Sequence, residues 1–490
     1  MKMYNNSLVL YSEYQFCNKK YLNGILSLPE NLYEYNFIEF YSLIILGLLY
    51  VLISKYFITL PKQIKKNTIT NKIKVKNFTN KTTNTIKNDK KKVGLLTNEI
   101  PPVVYGGVST WITNFIKMFK DDEEYEIIPI YLEHLDKAHS SFKEKYPNIR
   151  ILNHTNMNEV FEDIDVVVNN LWICYDLIRE IKQKYNNLLM ISVCHSLIKM
   201  EHLTNMESAK TNNFYEQEIT FQYSDIVILI SKSEKKHYNR LGYNKYNAKQ
   251  YVIYNSYSPK FDNIENTNDY TNNNLGYIGR HVPRKRPELP LKGLLHLKNE
   301  NNNPADADDN YKNIKIKNMG ISQDNEYWIN LQEKYKELLE TIEFNTDKSI
   351  INKYWSEIGV NCITGIYEPF GYTMCETLDR KIPAIVPNIE GPSEIVEDFK
   401  DCVFEYDVSM DFEKDIINFS KAINKFLSTK PDVRKQMAEK ARGALHNFRP
   451  GNIKQKWKDV IENSVTRTDI DFSNNTNDNY TSSYSSDYTF

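Results

Sequence analysis

The sequence predicts an α/β protein: two doubly wound parallel-sheet domains preceded by a single transmembrane helix. Three observations predict it. From residue 92 onward, short apolar runs alternate with amphipathic stretches, the pattern of strands and helices taken in turn. The alternation comes as two series, parted by a segment rich in Asn, Asp and Ser at 257–274. Ahead of both series lies one long apolar segment at 37–60.

A length of 490 residues accommodates two or three domains. Hydrophobic residues at 41% and charged residues at 26% suit packed globular cores. The net charge of −1 leaves no excess cation to neutralise phosphates, so a general polyanion binder is excluded and no nucleic acid partner is expected. Cys17, Cys174, Cys194, Cys362, Cys375 and Cys402 form neither a CxxC pair nor a Cys/His metal spacing. They read as reduced thiols in a cytosol-like compartment.

Residues 1–36 form a polar and aromatic extension without periodicity. The 37–60 segment, closed by Pro61, is long enough to span ~30 Å of hydrocarbon as a helix. Glu39 and Lys55 stand near its ends, where a lysine reaches the interface. A signal peptide would start closer to residue 1 and end in a small-residue cleavage site, and neither feature is present. Lys62, Lys65, Lys66, Lys72, Lys74, Lys76 and Lys81 follow the span, in a basic linker at 61–91; Lys19 and Lys20 before it are offset by Glu30 and Glu34. The positive-inside rule then makes this a single-pass membrane protein with its globular part on the cytoplasmic side. The linker either lies against anionic headgroups or is a solvated spacer.

In the first series, strands are expected at 93–97, 127–131, 149–152, 166–169, 188–194, 226–230 and 251–254. Val108, Trp111, Ile112, Phe115 and Phe119 fall on one face of a helix after the first strand. The second series has strands at 275–278, 314–319, 358–364, 384–387 and 402–406. The domains are therefore 92–258 and 259–450, with a hinge beginning at Tyr257. A helix at 451–466 is expected to pack back on the first domain, ahead of a disordered tail at 467–490. The Asn-rich stretch 299–310 is a loop insertion, so its Asp306 and Asp308 are not taken as metal ligands.

Three motifs carry chemistry. NEIPPVVYGGVSTW runs from a strand through Gly106 and Gly107 into a helix. Paired glycines admit a ligand close to the backbone, and a helix N-terminus favours an anion; a plain strand-to-helix turn is the alternative. In GYIGRHVPRKRP, Arg280 and Lys285 follow a strand, where a planar fork and a point charge together suit a diphosphate. A solvated basic loop is the alternative there. In GIYEPFGYTMCE, seven residues separate Glu368 from Glu376, and a helix is expected from Thr373. Thr373 and Glu376 have capping-box spacing, so Glu376 either satisfies a backbone amide or accepts from paired ribose hydroxyls, with Glu368 near the sugar ring.

Together, in this order, the motifs resemble the retaining GT-B glycosyltransferases, particularly glycosyltransferase family four and its glycogen- and starch-synthase relatives. The resemblance covers about residues 92–465. It implies two Rossmann-like domains facing a cleft, a nucleotide-diphosphate sugar as donor substrate, no further cofactor and no metal. Gly106 and Gly107 match the family's Gly-Gly loop, Arg280 and Lys285 its diphosphate pair, and Glu368 and Glu376 its E-x7-E motif. Gly371, Tyr372 and Thr373 then lie at the start of the nucleotide-facing helix, as donor-binding positions. His195, in ISVCHS, matches a family histidine and joins Glu368, Arg280 and Lys285 as a catalytic candidate. Ser231 and the stretch IEGPSEIV match two further family segments. Gly391-Pro392 stands where relatives carry Gly-Gly, LDRK at 378–381 where they carry small residues, and YNSYS at 254–258 where they carry an Asn-Gly turn.

The implied function is hexosyl transfer, with retention, to a glycan, lipid or protein acceptor. Two rivals stand beside it: a nucleotide-sugar epimerase of the same fold, against which the Gly-Gly loop speaks, and a non-catalytic membrane-bound scaffold, against which the intact charged set speaks.

Overall fold

The computed structural model describes residues 90–465, apart from 101–105, 133–142, 154–155, 171–174, 206–212, 263–267, 301–312, 321–325, 344–347 and 410. The 37–60 segment, most of the basic linker, the tail and the Asp306/Asp308 pair lie outside the described residues. Among the described residues no helix is long and apolar enough to cross a membrane.

The first domain holds β1 (Lys91–Leu96), β2 (Tyr125–Leu132), β3 (Arg150–Leu152), β4 (Val166–Asn169), β5 (Leu189–Cys194), β6 (Ile226–Leu229) and β7 (Lys249–Val252). They form one sheet in the order β3-β2-β1-β4-β5-β6-β7, with every pairing parallel. The second holds β8 (Leu275–Ile278), β9 (Ile316–Gly320), β10 (Leu339–Glu343), β11 (Val360–Cys362), β12 (Ala384–Pro387) and β13 (Phe404–Tyr406). Their order is β10-β9-β8-β11-β12-β13, again parallel throughout. A parallel strand covered on both faces must be apolar on both, and β4 and β6 are buried along their whole length. Every strand except β10 falls on an expected run. β10 is an edge strand, and in its sequence LETIE the apolar Leu339 and Ile342 stand three apart, a helix-like spacing.

Each sheet winds outward from its middle, returns, and winds the other way. The turning points lie between β1 and β4 and between β8 and β11. Crevices that bind ligands open at the carboxyl ends of strands beside such a switch.

Six helices bear on the site: α1 (Gly107–Phe119), α2 (Ile198–Asn205), α3 (Lys232–Arg240), α4 (Tyr372–Asp379), α5 (Glu390–Ile395) and α6 (Pro450–Val465). The chain passes from the first domain to the second at Tyr257 and comes back through 442–450. The two crossings touch: the Tyr257 amide donates to the Phe448 carbonyl at 2.8 Å, and Arg442 pairs with Asp262 at 2.8 Å. The buried carboxylate of Asp379 organises this region. It accepts from the Lys260 amide at 2.6 Å, the Tyr257 hydroxyl at 3.1 Å and Arg442 at 2.8 Å. The LDRK departure is thus a hinge anchor, with Arg380 stacked over Phe261.

After the second crossing α6 lies on α1. Trp457 meets Phe115 edge-on at 5.0 Å, while Lys454 and Lys458 reach the buried Asp122 at 2.6 and 2.9 Å. Trp457 is fully buried, so Trp457→Ala is expected to cost about 3–5 kcal/mol. Thermal unfolding reads this as a marked fall in Tm; an unchanged Tm would mean α6 does not hold the first domain.

Candidate active site

On the first domain, the site residues sit just beyond strand ends. β5 stops at Cys194, and His195 follows with its Nε2 2.6 Å from Oδ1 of Asn170, which itself follows β4. Trp111 of α1 closes on the imidazole edge-on at 5.0 Å. Burial lowers the His195 pKa to about 3, so the ring is neutral across the physiological range. The Asn170 amide nitrogen is buried without a partner among the described residues. Gly106 and Gly107 begin α1, where Ser109 Oγ accepts from the Gly106 amide at 2.7 Å. A side chain at Gly107 would come within 4.0 Å of Tyr372, so the first and third motifs face each other across the domains.

On the second domain, β8 leads into Gly279, Arg280 and a 3₁₀ turn at Pro283–Lys285. The turn is fastened to the loop after β11: Thr364 Oγ1 donates to the Lys285 carbonyl at 2.5 Å, and the Ile366 amide to the Arg284 carbonyl at 3.0 Å. That contact sets Lys285 against the carboxylate of Glu368. With a side chain only 17% exposed, Lys285 is not part of a solvated loop. Burial and the like charges of Arg284 and Arg280 push its pKa well down, against the pull of Glu201. Arg280 is exposed, and its guanidinium makes no hydrogen bond or ion pair among the described residues. Arg284 is buried and crosses to Glu201 of α2 at 3.1 Å.

Of the two readings of Glu376, the capping box does not form. α4 starts at Tyr372, one residue early, because Gly371 supplies a left-handed N-cap at φ 99°. Thr373 thus falls inside the helix, its hydroxyl caps nothing, and Glu376 is too far along to serve the cap. The Glu376 carboxylate has no hydrogen bond or ion pair among the described residues, and burial raises its pKa. The residue is half-buried, so its carboxylate remains free to accept from a ligand. Gly391 is needed for close approach: a Cβ there would fall 2.5 Å from Phe370 Cα, and its amide donates to the Glu368 carbonyl at 3.0 Å. Pro392, in place of the family's second glycine, packs toward Gly371.

The two halves are joined by polar contacts on α3. Glu394 of α5 accepts from the amides of Lys232 and Ser233 at 2.8 and 2.6 Å and from the Tyr254 hydroxyl at 2.6 Å. His237 meets Glu390 at 2.7 Å, and Lys232 meets Glu397 at 2.8 Å. Ser231, also matched to a family segment, caps α3 by accepting from the Glu234 amide at 3.1 Å. Of the predicted site residues, Lys285, Glu368, Gly371, Tyr372 and Gly107 converge, and His195 lies on the loop that faces them. Sequence reasoning missed Arg284, Asn170 and Tyr367. Arg284 had a signal in the basic run it shares with Lys285, and Tyr367 in directly preceding Glu368; Asn170 had none.

Two parallel-sheet domains with site loops at facing strand ends define the GT-B class of fold. Solved structures share it. Sucrose-phosphate synthase from Thermosynechococcus elongatus matches with a TM-score of 0.58 at 14% identity, over 77% of this chain and 100% of that one. Anabaena HepE, solved with UDP-glucose, matches with a TM-score of 0.55 at 15% identity, over 76% and 99%. S. aureus TarM, solved with Fondaparinux, alpha-GlcNAc-glycerol and UDP, matches at 0.54 and 12%, over 76% and 99%. Residues 260–444, essentially the second domain, match the family described as "Glycosyl transferases group 1". No curated protein matches the chain by sequence. The family match and the shared fold support a GT-B glycosyltransferase.

One buried group at the domain contact has a titration to test. Glu234 of α3 is fully buried, and burial, reinforced by Glu390 and Glu201, pushes its pKa up to about 8. Unfolded, the same carboxyl titrates near its ordinary value. Its stabilising effect is therefore complete below about pH 4.5 and is lost progressively up to about pH 8, at up to about 1.4 kcal/mol per pH unit. Glu234→Gln never ionises. Its Tm relative to the wild type is expected to climb between pH 5 and 8 and then level off; a difference that stays flat would contradict the buried neutral acid.

Proposed function

We propose that the chain is a retaining, metal-independent hexosyltransferase. It moves a sugar from a nucleotide-diphosphate donor to a glycan, lipid or protein acceptor. The observation that carries this reading is the cation cluster beside the start of α4. Arg280, Arg284 and Lys285 crowd together with Glu201 and Glu368 as their carboxylates, and Glu368 abuts the Gly371 cap. Two guanidiniums and an amine whose protonated form a bound anion would favour, beside a helix N-terminus, suit a diphosphate. The bound UDP-glucose of HepE and the UDP of TarM support a donor of this kind, and the sugar-based ligands of TarM a glycan-like acceptor.

In this reading Arg280, Lys285 and the amides of Gly371, Tyr372 and Thr373 stabilise the departing diphosphate. Glu376, the unspent acceptor on α4, takes the paired ribose hydroxyls. Glu368 lies by the sugar ring and orients Lys285. His195, neutral at working pH, holds a sugar hydroxyl by hydrogen bonding and is too weak a base to draw off its proton; the leaving phosphate accepts the acceptor's proton. Gly106 and Gly107 let the donor approach the backbone of α1. The 37–60 segment tethers the protein to a membrane with this site on the cytoplasmic face.

Turnover of a panel of nucleoside-diphosphate sugars, read by release of the nucleoside diphosphate, tests the reading. NMR of the product's anomeric proton tests retention. Lys285→Ala is expected to lower kcat on the order of 100-fold. Its Tm falls as well, since a buried partner of Glu368 is removed. Glu376→Gln is expected to raise the donor Kd more than it lowers kcat. Wild-type kcat in Lys285→Ala would remove the diphosphate assignment, and activity lost to a chelator and restored by manganese would refute metal independence. The full-length chain is expected to sediment with membranes.

A further inference from the structure

Tyr367 directly precedes Glu368, yet its side chain lies in the other domain. The ring is completely buried, in an apolar cluster with Cys194, Leu197, Met200, Phe221 and Tyr238. Its hydroxyl accepts from the Leu197 amide at 2.6 Å and donates to Glu234, whose oxygens stand 2.8 and 3.0 Å away. Leu197 lies two residues beyond His195. One phenol therefore fastens the loop bearing Glu368 to the loop bearing His195. The neighbouring link has the same sense: Arg284 reaches Glu201 on α2 and also donates to the Tyr367 carbonyl at 3.4 Å.

The contact between α3 and α5 joins the domains through helices that carry no assigned site residue. The Tyr367 contact joins the reactive loops themselves. From it we infer that Tyr367 is a positioning residue, whose hydroxyl, held between Leu197 and Glu234, fixes Glu368 and Lys285 against His195 in the geometry that sugar transfer requires. The inference rests on the transferase reading above. Misplacement of reacting groups by about 1 Å costs on the order of 100-fold in rate, so a tie one residue from Glu368 has direct leverage. The proposed ribose and diphosphate contacts, Glu376, Arg280, Lys285 and the start of α4, belong to the second domain, and the first domain adds only the close backbone approach at Gly106 and Gly107. Loosening the tie should therefore spare donor affinity.

Tyr367→Phe keeps the ring in its pocket and deletes only the hydroxyl, leaving a buried amide and a buried carboxyl without their partner. Kinetics of the full-length variant are expected to show kcat reduced on the order of 10- to 100-fold, with the donor KM changed less than about threefold. A residue that merely stabilises the fold would lower Tm without that split. Hydrogen exchange at the Leu197 amide is expected to accelerate in the variant. Glu234→Ala, which removes the other partner, is expected to give a similar kcat defect, and the double variant little more than either alone. Wild-type kcat in Tyr367→Phe, unchanged protection of Leu197, or defects that multiply in the double variant would each overturn the inference. If the wild type turns over no sugar nucleotide, the transferase reading fails, and Leu197 exchange still decides whether the tie exists.

Discussion

The first amides of a helix have no partner within it and present an anion site; at the domain boundary Ser231 takes the Glu234 amide of α3 and leaves those of Lys232 and Ser233 open. The carboxylate that fills it comes from the other domain. Glu394 takes the Lys232 and Ser233 amides, and the Tyr254 hydroxyl with them. A carboxylate at a helix N-terminus is worth roughly 0.3–1 kcal/mol when exposed and up to about 2 when partly buried. Here it also aligns α5, which carries Gly391, and Gly391 in turn takes the Glu368 carbonyl. The placement of Glu368 thus descends, bond by bond, from a cap shared between domains. Apolar packing adds to it: Phe370 and Met374 share one buried cluster with Ile253 and Tyr257.

How legible a feature was in the sequence followed its dependence on distant residues. The β4 and β6 strands are buried on both faces, so VVVN and IVIL announce themselves as continuous apolar runs. β10 has a neighbour on one side only, and its LETIE carries neither the continuous apolar run nor the period-two alternation of a strand. The run Arg284-Lys285-Arg286 shows the limit most clearly. In sequence it is one basic patch. In the fold its members go to Glu201, Glu368 and Asp415, respectively. Nothing local distinguishes a cation destined for the cleft from one buried for structure, because the partners are set by topology.

The departures from the family pattern divide by the same logic. Gly391 is retained because backbone presses on it, whereas its neighbour became Pro392 and lost an N–H where α5 meets Gly371. LDRK stands where relatives carry small residues, and its Asp379 and Arg380 both hold the segment around Tyr257. That departure therefore bears on the joint between domains.

That joint has a mechanical corollary. The chain crosses from one domain to the other twice, and the crossings are pinned together by the Tyr257–Phe448 bond and by Asp262, which takes both Arg442 and Arg449. Two separate straps would let the domains twist and slide as well as swing. Straps bolted to each other act as one pivot, confining relative motion to rotation about a line near Tyr257, and that rotation must first break the Glu394, Tyr367 and Arg284 ties across the domains. Displacement under such a rotation grows with distance from the pivot, so points far from that line open farthest while the bolted segment scarcely moves.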